Sequence, residues 1–118
     1  MELKFIKPKE NASIAKITVH KTGKLGFSRG AAELLKITEN KFCKFGISEQ
    51  NELFIVMCKE NDGETFGIAK AGDYYYVTAK SLLNDLDIDY KTKDTIIFDV
   101  IDIKDDKIFK LIQRIIKK

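Results

Sequence analysis

Between Ala15 and Ile47 the spacing of apolar residues changes period twice. Ile17 and Val19 alternate with Lys16, Thr18 and His20, the two-residue period of a half-buried strand. Lys21-Thr22-Gly23-Lys24 interrupts the run with a glycine that can take the positive φ of a tight hairpin. Leu25 and Phe27 resume the alternation on a return strand. Ser28 then offers a hydroxyl to cap a helix, and Ala31, Ala32, Leu34 and Leu35 are good helix formers. Leu34 and Ile37 share a face, and the short helix is predicted to end near Thr38-Glu39-Asn40. Two further strands follow at 41–47 and 52–59, joined by the polar turn 48–51.

The same order returns when the chain is displaced by 49 residues, which brings Gly23 onto Gly72. Ile17 then meets Phe66, Val19 meets Ile68, Leu25 meets Tyr74 and Phe27 meets Tyr76; in the helix Leu34 meets Leu83 and Ile37 meets Leu86. After a small insertion, residues 95–103 and 107–112 match the third and fourth strands. The pattern predicts one α+β domain over 1–118, built of two strand-strand-helix-strand-strand repeats at about 14–59 and 64–113. A hairpin with one short helix cannot bury both sides of its apolar face, so the two copies are expected to close on each other. In this register Tyr74 and Tyr76 point inward and Tyr75 outward. The tail from Lys107 also carries a helical stripe, Ile108, Leu111, Ile112 and Ile115, but the repeat assigns it to a strand at least through Ile112.

Gly23-Lys24-Leu25-x-Phe27, followed by a small residue, a helix and a second hairpin, resembles the AbrB and MraZ group of swapped-hairpin transcription factors. The MraZ branch carries two such units in one chain. The resemblance implies a paired-hairpin sheet with DNA binding through the basic face of the first copy. The chain departs from the family pattern where Ser28 replaces a proline at the strand-to-helix junction and Lys24 replaces arginine. Asp73 occupies the position of Lys24 in the second copy.

The net charge of +3 is unevenly spread. From Ile14 to Lys44 seven basic residues face only Glu33 and Glu39. Of the seven, Lys21, Lys24, Arg29, Lys36, Lys41 and Lys44 are the candidate nucleic-acid-binding residues, since a local basic excess attracts phosphate. Lysine outnumbers arginine 19 to 2. The expected contacts are therefore to phosphate, with little of the bidentate base reading that arginine supplies.

Other chemistry fails on residue type or spacing. Asp85, Asp87 and Asp89 open like a calcium loop, but Tyr90 stands where the turn needs glycine and Ile96 where it needs glutamate. Cys43, Cys58 and the single histidine, His20, cannot supply four zinc ligands, and the cysteines are expected to be thiols. His20 has no orienting carboxylate among its neighbours in sequence, and no glycine cluster cradles phosphate. The sequence thus predicts a non-enzymatic protein without metal or cofactor that contacts nucleic acid through its basic first repeat. The alternative is a protein-interaction or assembly module, in which Tyr75 and the tail are covered by another chain or a second copy. No apolar run is long enough to cross a membrane, and the opening residues lack a signal-peptide core, which predicts a cytoplasmic protein.

Overall fold

The computed structural model describes residues 2–4 and 15–117. Met1, residues 5–14 (with Ile14, where the basic excess begins) and Lys118 lie outside the described residues. The chain orders as β1 (Lys16–Val19), β2 (Lys24–Phe27), α1 (Arg29–Leu34), β3 (Phe42–Ile47), β4 (Leu53–Cys58), β5 (Phe66–Gly67), β6 (Ala69–Ala71), β7 (Tyr74–Thr78), α2 (Lys80–Asp85), β8 (Thr95–Asp102) and β9 (Ile108–Ile116). The tail is a strand, nine residues long.

The strands form one antiparallel sheet in the order β5-β3-β4-β9-β8-β1-β2-β7-β6. Its two ends, β5 and β6, are consecutive pieces of chain separated only by Ile68, whose N–H donates to the Lys41 carbonyl at 2.9 Å. β5 pairs with β3 while β6 pairs with β7, so the sheet curls into a nearly closed barrel. Near-closure of this kind brings the two end strands together and shortens the exposed edges that an open sheet must protect.

The predicted α+β fold of two strand-strand-helix-strand-strand repeats is therefore corrected. Each helix has six residues, under two turns, and neither forms a layer against the sheet. Nor are the halves separate units: β3–β4 and β8–β9 are ladders within a half, but β1 pairs with β8, β2 with β7 and β4 with β9, so three ladders join the halves into one sheet. The single 49-residue offset also fails beyond the turns. Matching helix bonds, Ala32 N–H to Ser28 O and Leu83 N–H to Ala79 O, lie 51 residues apart.

Alternation along each strand sends one parity inward. Ile17, Val19, Leu25, Phe27, Cys43, Ile55, Met57, Val77, Phe98, Val100, Phe109 and Leu111 are all buried inside the barrel. The helices plug it with Ala31, Leu35, Ile37, Ala79 and Leu83. Both helices end the same way, with a non-glycine residue at positive φ, Lys36 (52°) and Asp87 (55°). The following residue, Ile37 or Ile88, donates its N–H five positions back, to Ala32 O or Leu83 O, and turns an apolar side chain onto the core.

Candidate binding surface

The two hairpin turns that the sequence places in register differ in length, and that difference builds the surface. β1 and β2 are closed by Lys21-Thr22-Gly23 between His20 and Lys24, with Gly23 at φ 86°. β6 and β7 are closed by two residues, Gly72 (φ 63°) and Asp73. Counting from the glycine, the second return strand arrives one residue out of phase. A shift of one residue exchanges the faces of a strand. Tyr75, not Tyr74, packs against the core, and Tyr74 and Tyr76 stand on the outer face. This reverses the orientation read from the sequence.

On that face the rings of Tyr74 and Tyr76 are stacked, with centroids 6.3 Å apart and planes 20° from parallel. The Lys24 ammonium lies 4.7 Å from the centre of the Tyr76 ring, a cation–π contact. Tyr74 reaches across Gly26 to hydrogen-bond His20 Nε2 through its hydroxyl. Glycine is required there. A Cβ on Gly26 would come within 1.5 Å of the Tyr74 hydroxyl oxygen and 2.6 Å of His20 Nε2. Partial burial raises the Tyr74 hydroxyl above its ordinary pKa. His20 thus has a side-chain partner that sequence proximity did not reveal, 54 residues away.

Tyr74 also borders a cleft of about 900 Å³ between α1 and the β6–β7 hairpin. Arg29, Lys36 and Lys70 line it, together with Glu33, Asp73 and Tyr75. Lys70 stands over the Tyr75 ring at 5.6 Å.

The six basic candidates do not share one patch. Lys21 and Lys24 belong to the β1–β2 hairpin, and Lys24 stands over the Tyr76 ring. Arg29 and Lys36 border the cleft, with Arg29 also paired to Glu33 one helical turn on, at 3.3 Å. Lys41 precedes β3 and Lys44 lies on it, and neither lines the cleft. Lys44 is held by Asp62 at 2.7 Å; that hydrogen bond raises the lysine and lowers the carboxylate from their ordinary values. Lys70, which was not among the candidates, joins the surface from the second half. Phe45 packs edge-on to Phe66 inside the sheet, 5.5 Å between centroids, and offers no outward ring.

Among the described residues no three His, Cys, Asp or Glu side chains gather to hold a metal ion, and no helix is long and apolar enough to cross a membrane. Cys43 and Cys58 are free thiols, the first buried inside and the second on the opposite face of the adjoining strand.

Compared with protein-family models, curated proteins and solved structures, the chain matches none. The AbrB and MraZ resemblance receives no support from these comparisons.

Proposed function

We propose that this chain binds single-stranded nucleic acid across the outer face of β2 and β7 and into the adjoining cleft. The observation that carries the reading is the stacked pair Tyr74 and Tyr76, presented outward and flanked by cations on both sides. Lys24 and Lys21 lie on the hairpin side; Arg29, Lys36 and Lys70 lie on the cleft side. Flat rings beside basic side chains suit unpaired bases, which stack on any aromatic face, with the phosphates between them met by ammonium groups. A duplex hides its base faces and offers the rings nothing. Because the cations are mostly lysines, binding is expected to be weakly selective for sequence.

The test is fluorescence anisotropy of labelled single-stranded and duplex oligonucleotides over a salt series. Single strands should bind more tightly, and affinity should fall steeply as salt rises. Tyr74→Ala and Tyr76→Ala should each cost about 1–3 kcal/mol, the usual worth of one stacked base. Gly26→Ala should weaken binding too, by pushing the Tyr74 ring out of its stacked position, although it removes no ligand-facing group. Lys44→Ala should change little. Absence of binding at low salt, or binding indifferent to both tyrosines, would end the proposal.

A further inference from the structure

β9 is longer than the neighbour that covers it. On one side it pairs with β8 along Phe109–Ile116, from Asp102 to Thr95. On the other side β4 reaches only Ile108–Leu111, because Leu53, opposite Leu111, is the first residue of β4. Residues 112–116 therefore form a stretch of strand with one open side, and among the described residues no strand pairs with it. Every residue from Ile112 to Lys117 is exposed. Ile112, Ile115 and Ile116 are 45%, 49% and 45% accessible, and Ile47, 57% accessible at the end of β3, borders the same hollow as Ile112.

The phase of the backbone is fixed by one bond. Met57 N–H donates to Lys107 O at 2.8 Å, so the odd-numbered residues of β9 turn their backbone groups toward β4. The even-numbered residues face β8. Beyond Leu111 the outward pairs, N–H and C=O of Gln113 and of Ile115, have no strand opposite them. Such an edge is completed by an extended segment, and its length is five residues.

We propose that this edge is completed by the same segment of a second copy, paired antiparallel about a two-fold axis at Arg114. In that register Gln113 of each copy stands opposite Ile115 of the other, and the two exchange both backbone hydrogen bonds. Ile112 falls opposite Ile116 of the second copy on the outer face, so both exposed isoleucines gain an apolar neighbour. The pattern is self-complementary, as an isologous contact requires. Arg114 would meet its own copy, which would repel if bare. It is not bare: Asp99 holds it through two hydrogen bonds, at 2.6 and 3.0 Å. A contact this short buries less than a standard interface, so the dimer is weak and concentration-dependent.

The experiment is sedimentation velocity of the full chain from micromolar to millimolar concentration, with hydrogen exchange read by NMR on the same samples. A reversible monomer–dimer equilibrium is expected. Gln113→Pro removes an outward N–H without touching the β8 ladder, and should weaken dimerisation at least tenfold while the circular dichroism stays unchanged. Ile116→Lys should weaken it as well. Should either variant misfold, the wild-type exchange pattern still decides. The amides of Gln113 and Ile115 should become protected as concentration rises, whereas those of Ile112, Arg114 and Ile116 are protected throughout. A chain that remains monomeric at millimolar concentration, or a dimer whose Gln113 and Ile115 amides stay open, overturns the proposal.

Discussion

Cys43 is the clearest case of a side chain whose chemistry follows from its face. It points into the barrel, opposite Met57 and Phe66, fully shielded from water. Burial, with a smaller contribution from nearby Cys58, raises its thiol pKa to about 12. A thiolate is the nucleophile, so native Cys43 should be inert to an aromatic disulfide reagent, while Cys58 reacts and denaturant exposes both. The same shift couples to stability. The unfolded thiol ionises near pH 8.5–9 and the folded one near 12, so its contribution is fully present below about pH 8.5 and is lost as pH climbs to 12. By pH 10.5 the wild type should have lost about 2 kcal/mol more than Cys43→Val, measured by urea unfolding at both ends of the range. In sequence Cys43 and Cys58 read alike as small apolar thiols, because Phe42-Cys43-Lys44-Phe45 does not alternate cleanly; the structure buries Cys43 and turns Cys58 to the other face. The sequence did not place the tyrosines, because three adjacent rings on β7 give no alternation of their own. Their faces depend on whether the preceding turn has two residues or three.

At the scale of elements, the capping chemistry was visible and the helix lengths were not. Ser28 Oγ accepts from Ala31 N–H at 3.1 Å, the N-cap bond its position predicts. It also accepts from Lys16 N–H at 3.0 Å, while Ser28 N–H returns to Lys16 O at 2.9 Å. One side chain thus ties α1 to β1 as well as starting the helix. Ala79, at the same point of α2, makes no side-chain cap bond. Ser28→Ala should cost about 2 kcal/mol, above the usual loss of a cap, because it strands the Lys16 donor too. Ser28→Thr, which keeps the hydroxyl, should lose much less. Thermal or urea melts of both variants test this, and equal losses would deny Ser28 its double role. Why each helix stops after six residues could not be read from composition. The residues at positive φ, Lys36 and Asp87, are not the glycines that mark such ends in sequence. Of the face read from sequence, Ile37 is buried, but Leu35 takes the core position expected of Leu34, which packs only in part against it. Asn40 completes the end of α1, its amide donating to the Leu35 and Lys36 carbonyls at 3.4 Å.

For the whole molecule, the decisive feature is where the sheet joins itself. Pattern in the sequence located most strands but could not give their partners, since apolar alternation specifies a face and not a neighbour. The pairing of β1 with β8 and of β4 with β9 binds distant halves into one sheet, and only Ile68 separates its two ends. At Ile68 the chain leaves β3 and joins β7, with its N–H fixed on Lys41 O. The side chain is half-buried against the core. Closure therefore depends on one residue that must bend, donate and pack together. Ile68→Pro removes the donor and fixes φ, and should cost about 3 kcal/mol or more. Ile68→Val keeps the donor and most of the packing, and should cost about 0.5–1.5 kcal/mol. The loss in the proline variant should also be local. Amides of β5 and β6 and their partners on β3 and β7 should exchange faster, while the β8–β9 ladder at the opposite side of the barrel keeps its protection. Uniform loss of protection would mean that the sheet is held as one cooperative unit and has no separable seam. A cost no larger for proline than for valine would show that the barrel does not close through this residue.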